Sequence, residues 1–180
     1  AETDLLQQYI PIAEMRSLTL PDGTKVQLNS KSTLLYPQEF TGDSRSVFLL
    51  GEANFKVKPD KKRPFIVKSN DLQITALGTE FNVIAYDFTK NQSVVLVSGK
   101  VEVDTYKYPK KVLKPNDMLT YDGQDDGLRV NTVDVSEYIS WVDGYYCFNH
   151  EKIEIITEKL SRYYGKRVIP DSGLIGLNCS

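Results

Sequence analysis

Few side chains in this chain have types and spacings that could do chemistry. Four carboxylates, Asp22, Glu52, Glu80 and Asp87, stand near the ends of strand-like runs, where a pair could act as acid and base on a glycosidic bond. Asp22 belongs to Pro21-Asp22-Gly23, and a short acidic side chain in such a turn ordinarily braces it. Glu52 follows Gly51 inside LLGEANFKV, residues 49–57. It is either a carboxylate held for reaction or a polar pin at a sheet corner, hydrogen-bonded to a turn amide or to Arg63, and the pin is the favoured reading. His150 is the sole histidine, so any Ser-His-Asp or Cys-His device would need it. Beside Asn149, at the expected start of a helix, it reads as a local cap. Cys147 and Cys179 have no metal or disulfide-framework spacing, and Cys147 reads as a small buried hydrophobe rather than half of a bridge. No glycine loop of the phosphate-cradling type occurs. The expectation is therefore no catalytic residue, no metal ligand and no cofactor.

These groups must be positioned by a fold that 180 residues can build around one main core. With 41% hydrophobic and 26% charged residues the composition is that of a globular domain. Eleven tyrosines against seven phenylalanines suit pleated sheets with wet edges. A net charge of -2 gives no general attraction to phosphate backbones, so no nucleic-acid partner is expected. The basic run KVKPDKKR, 56–63, reads as a solvated hairpin tip. No run approaches the length of a membrane span, and the N-terminus has no signal pattern. A start at Ala1 without Met reads as a piece of something longer.

From Arg16 to Thr132 short segments alternate in period 2, as in Val101/Val103 and Phe81/Val83/Ala85, and are divided by turn residues. Gly51, Gly78 and Gly99 each precede such a strand and read as sites of a bulge or corner. The texture changes after Asn131: a helical turn is expected within 133–141 and a strand at 145–148. A helix from His150 to Tyr164 carries Ile153, Ile156, Leu160 and Tyr163/Tyr164 on one face, and a strand returns at 166–169. The predicted class is mainly β, a two-sheet antiparallel β-sandwich of jelly-roll type followed by a partial α+β unit, strand-helix-strand. The boundaries are a linker at 1–15, the sandwich at 16–132 and the C-terminal unit at 133–180.

Several of these segments together resemble a known family. LPDGTKVQLNSKSTLLYP (20–37), RSVFLLGEANFKV (45–57), RPFIV (63–67), LGTEFNVIAY (77–86), VSGKVEV (97–103) and LKPNDML (113–119) stand in the order and spacing of the FecR family. The chain is similar to the periplasmic region of those anti-sigma factors, in the form found in Bacteroidetes. Its tail, from Trp141 through LSRYYGKRV (160–168), is similar to their C-terminal domain, which usually continues a few tens of residues beyond Ser180. The resemblance implies a sensor arm of a single-pass inner-membrane protein rather than a catalyst. It implies two partners, the N-terminal signalling domain of a TonB-dependent outer-membrane receptor and, through a cytoplasmic segment absent from this chain, an extracytoplasmic-function sigma factor.

A partner is expected to dock on the C-terminal unit, by adding a strand near 166–169 or by covering aromatic and apolar residues there. The candidate contacts are Trp141, Tyr145, Phe148, Leu160, Tyr164 and Val168, while Asp22, Gly23, Gly51, Glu52, Arg63, Gly78 and Gly99 are expected to serve structure. The alternative reading is a carbohydrate- or cell-envelope-binding module that stacks sugars on the rings around Trp141.

Overall fold

The computed structural model describes residues 4–123 and 127–179; residues 1–3 of the expected linker and Ser180 lie outside these. The strands in chain order are β1 (Leu5–Tyr9), β2 (Arg16–Thr19), β3 (Lys25–Leu28), β4 (Thr33–Pro37), β5 (Arg45–Lys56), β6 (Phe65–Ser69), β7 (Leu72–Ala76) and β8 (Glu80–Ala85). They continue with β9 (Asn91–Ser98), β10 (Val101–Asp104), β11 (Lys111–Leu113), β12 (Asp117–Asp122) and β13 (Gly127–Thr132). Two layers result. One runs β1-β4-β5-β6-β7-β10-β11 and the other β2-β3-β5-β8-β9-β12-β13. Strand β5 belongs to both: 45–50 pair in the first layer and 51–56 in the second.

The sandwich is mainly β and two-layered, as the alternation predicts, with one pair that departs from the antiparallel expectation. Strand β5 ends in the second layer, so the 57–64 connection must cross back to the first. It brings β6 alongside the start of β5 in the same direction, and Arg45–Phe48 pair in parallel with Phe65–Lys68. Phe55 of the second layer meets Phe65 of the first at 5.9 Å between ring centroids and stacks on Phe81 at 5.4 Å. Val47, Leu49, Val67, Ile74 and Val103 fill one inner face, and Ala53, Val83, Val94 and Leu96 the other. The leading segment differs from the expected linker: Leu5–Tyr9 pair antiparallel with Thr33–Pro37, and Ile10 is wholly buried.

After the sandwich come α1 (Ser136–Ile139), a 3₁₀ turn at Ser140–Asp143, β14 (Glu151–Lys152), α2 (Ile153–Tyr164) and β15 (Asn178–Cys179). Two expected strands are corrected. Residues 145–148 and 166–169 pair with nothing regular among the described residues, and the small sheet is instead β14 with β15. The order strand-helix-strand survives with other strands. The helix begins three residues later than expected, because His150 takes a left-handed conformation, φ 53°, which breaks a helical start. Neither His150 nor Asn149 caps it; Lys152 holds the N-cap without a side-chain bond. Gly165 ends α2 with φ 60°.

Candidate functional site at the junction of sandwich and C-terminal unit

Strand β5 turns from one layer to the other at Gly51, φ 115°, where a side chain would meet the backbone Cα of Ser32 at 2.7 Å. The turn aims the next residue, Glu52, at the outer face of the second layer. There it is 4% exposed. One carboxyl oxygen accepts from Asn29 Nδ2 at 3.0 Å and the other from Asn82 Nδ2 at 3.0 Å. Its N–H donates to Ser32 Oγ at 2.8 Å, and its carbonyl accepts from the Asn29 N–H at 3.0 Å. Every capacity of Glu52 is thus tied to the β3–β4 turn or to β8, and Arg63 is not among its partners.

The same turn reaches the C-terminal unit. Asn29 Oδ1 accepts from the Ser30 N–H, and Ser30 Oγ donates to the carbonyl of Tyr163 at 2.6 Å. The Ala13 N–H donates to that carbonyl and to Ser30 Oγ, while the Tyr163 hydroxyl donates to the Ala13 carbonyl at 3.1 Å. A continuous chain of hydrogen bonds therefore runs from the sheet corner through Asn29 and Ser30 to the last turn of α2. Two tyrosines flank it. The Tyr86 hydroxyl donates to the Ser30 carbonyl at 2.7 Å, and burial, followed by the charge of Glu52, drives its ionisation well above the ordinary 10.0. Tyr146 is also raised, by burial first and by Glu52, against a hydrogen bond with Asn29 that lowers it. The Arg162 guanidinium lies 5.7 Å from the centre of the Tyr86 ring.

A pH dependence follows from Tyr86. Its folded-state ionisation lies above that of the unfolded chain, so the unfolded state loses the proton first and gains stability relative to the fold as pH rises. Stability is therefore expected to hold below pH ~10 and to fall above it. Tyr86→Phe should flatten that alkaline loss in urea titrations between neutral and alkaline pH.

The candidate contact residues divide. Trp141 is 3% exposed, inside the unit rather than on its surface. Tyr145 and Tyr164 are exposed, and Phe148, Leu160 and Val168 are half-buried. The ring of Phe148 stacks on Tyr146 at 6.1 Å and has the Lys159 ammonium 5.4 Å from its centre; Tyr163 meets Tyr164 edge-on at 4.9 Å. Among these rings only those of Tyr146 and Phe148 stack face to face, and Trp141, the ring around which sugars would stack, is buried. A set that sequence reading missed is Leu174, Ile175 and Leu177, all exposed and following the exposed Ile169 of the expected docking edge. Their signal was three apolar residues within four positions, 174–177, in a stretch to which neither helix nor strand was assigned.

Most of the remaining residues have partners within the sandwich. Asp22 accepts from the Thr24 N–H and hydroxyl and pairs with Arg45 Nη1 at 2.7 Å, both side chains nearly excluded from water. Gly23 holds φ 87° in that turn, Gly99 holds φ 85° between β9 and β10, and Gly78 lies against Pro59 ahead of β8. Arg63 joins Asp60 at 3.1 Å and the Phe40 carbonyl, pinning the basic tip. Backbone N–H donation from Lys62, with the Arg63 side chain, lowers the ionisation of Asp60. Glu80 faces Lys56 at 3.6 Å, and Asp87 is exposed. Glu52 lies opposite Ile84 in the ladder, four residues from Glu80. At about 3.3 Å per residue that separation is roughly 13 Å, beyond the spacing of a glycosidase pair. Cys147 is half-buried and Cys179 exposed, both free.

Comparison with known proteins agrees with this geometry. The family model described as FecR protein matches residues 10–102. Two crystal structures of a candidate anti-sigma factor from Parabacteroides distasonis ATCC 8503 superpose with TM-scores of 0.86 and 0.85. Each is 32% identical over 97% and 96% of this chain, and over 82% and 81% of the other. Comparison with curated proteins finds no match. A family match over more than half the chain, joined to a shared fold over nearly all of it, leads to one conclusion: this chain belongs to the FecR family of anti-sigma signalling regulators.

Proposed function

We propose that this chain is the periplasmic sensor region of a single-pass inner-membrane anti-sigma factor, relaying the state of a TonB-dependent outer-membrane receptor to an extracytoplasmic-function sigma factor. The receptor's N-terminal signalling domain docks on the C-terminal unit, and the sigma factor is held by a cytoplasmic segment outside this chain. The observation that carries the docking face is the density of uncovered apolar side chains on that unit: Tyr145 at 58%, Tyr164 at 51%, Ile169 at 67% and Ile175 at 59% exposure. Exposed apolar surface of this kind marks protein contacts. The short β14–β15 ladder also has open edges, to which a partner strand can add. Beneath this face the Ser30–Tyr163 bonds join α2 to the sheet corner, so a load on the unit is transmitted to the sandwich. No helix of the described residues is long and apolar enough to cross a membrane.

The test is calorimetric titration of this chain with the signalling domain of its cognate receptor. Saturable binding is expected, weakened about tenfold or more by Tyr145→Ala, as for loss of an aromatic anchor. Leu160→Asp should abolish it by placing a charge behind the docking face. Absence of binding by the unaltered chain would sink the reading.

A further inference from the structure

The outer face of the second layer is covered by the C-terminal unit only in part. Beside the Glu52 network a cleft of about 910 Å³ lies open between α2 and strands β8, β9 and β12. Its lining sets apolar groups, Ile84, Met118, Ile155 and the ring of Tyr138, among the hydroxyls of Ser93 and Thr120, which lie in register beside Ile84 on the sheet. Its charge is one-sided: Lys31, Lys90, Lys159, Arg162, Lys166 and Arg167 face only Glu151 and Glu158, in a chain whose net charge is -2. The two carboxylates are already engaged, Glu151 with Lys159 at 3.3 Å and Glu158 with Arg162 at 3.9 Å. Among the described residues Lys90, Lys166 and Arg167 have no acidic partner, and Lys31 rests on the Phe88 ring at 4.5 Å. These cations come from the β3–β4 turn, the β8–β9 turn and the segment after α2, three places distant in sequence that line one cleft.

We propose that this cleft binds an extended, acidic segment of polypeptide, its carboxylates on Lys90, Lys166 and Arg167 and its apolar side chains on Ile84, Met118 and Ile155. Charge and length choose this occupant. The wall from Ile155 to Arg167 begins with ten residues of helix; at 1.5 Å per residue this is about 15 Å, room for four or five residues of extended chain at ~3.3 Å each. A single small anion would leave most of the apolar lining uncovered. The occupied cleft presses on Arg162, and Arg162 lies on Tyr86, whose hydroxyl holds Ser30 of the relay. The inference rests on the partner-sensing reading, since the segment belongs to a docking partner.

The test is fluorescence anisotropy of the whole chain with a labelled peptide of alternating glutamate and leucine, beside its glutamine–leucine counterpart and inorganic phosphate as competitor. The glutamate peptide is expected to bind about tenfold or more tighter than the glutamine peptide, and more weakly as salt rises. Lys166→Glu with Arg167→Glu should remove that preference. Lys90→Glu, on a separate segment, should do the same where the double variant melts early. Equal binding of both peptides, indifference to these reversals, or displacement by phosphate at concentrations matching the peptide's own affinity overturns the proposal. Parallel titration with the receptor domain separates the two readings. Peptide binding without receptor binding refutes the receptor reading and leaves the cleft's ligand class standing, whereas receptor binding without peptide binding refutes the cleft alone.

Discussion

Arg45→Met is expected to lower the unfolding free energy by about 3–5 kcal/mol, the usual cost of leaving a buried charge without its counter-ion. Arg45 is 1% exposed at the start of β5, with its ring-facing guanidinium 5.5 Å from the centre of Phe65. Its Nη1 pairs with Asp22 at 2.7 Å and donates to the Lys58 carbonyl at 2.8 Å, and its Nε donates to the Arg63 carbonyl at 2.9 Å. One side chain thus ties the Pro21-Asp22-Gly23 turn to both ends of the basic tip. Methionine keeps the stem but none of the donors, so Asp22 stays buried with only Thr24 to satisfy it. Against a total stability of about 5–15 kcal/mol for an ordinary domain, the variant should unfold at much lower urea. Adding Asp22→Asn to Arg45→Met removes the stranded charge while keeping an acceptor for the Thr24 N–H. The double variant should therefore recover part of the loss, and the coupling between the two sites is read from the cycle of four proteins. Strictly additive losses would mean that Arg45 acts through packing alone.

The alternation that located most strands also contained this residue. Arg45, Val47 and Leu49 have one parity, and the two apolar members face the core; an arginine in step with them had to be buried and therefore paired. Of Arg45 and Arg63, only Arg63 is expected from the sequence to serve structure, and it joins the neighbouring Asp60 and the more distant Phe40 carbonyl. The sheet region was legible because period 2 is forced wherever one face is buried. Beyond Thr132 the signal fails for a physical reason. Residues 145–148 alternate like a strand, yet they are held by side-chain and ring contacts, such as the Cys147 N–H on Ser140 Oγ and Tyr146 on Phe148, with no ladder. The junction was legible only at Glu52. Its amide partners, Asn29 and Asn82, lie 23 and 30 residues away, and no local pattern marks an asparagine destined to meet a carboxyl across a fold.

Gly51→Ala is expected to cost about 2–5 kcal/mol, the sum of ~1–2 for a left-handed backbone and ~1–3 for forced displacement of close neighbours. At φ 115° the position disfavours any L side chain, and the added methyl would sit 2.7 Å from the Cα of Ser32, which is backbone and cannot rotate away. Gly42→Ala is the matched control: nothing lies within 4 Å of its added carbon and its φ is unstrained, so it should change stability by no more than about 0.5 kcal/mol. The consequence reaches beyond stability. Ser32 accepts the Glu52 N–H, Glu52 holds Asn29, and Asn29 positions the Ser30 that binds the Tyr163 carbonyl. Displacing Ser32 should therefore loosen α2 before the sandwich opens. Native-state hydrogen exchange should show faster exchange in 153–165 and at the Ala13 N–H, with the amides of β6 and β7 exchanging at rates set by global unfolding alone. A uniform rise across both units would mean that the corner only stabilises the sheet. A selective rise in the helix identifies Gly51 and Glu52 as the point where the sandwich holds the C-terminal unit.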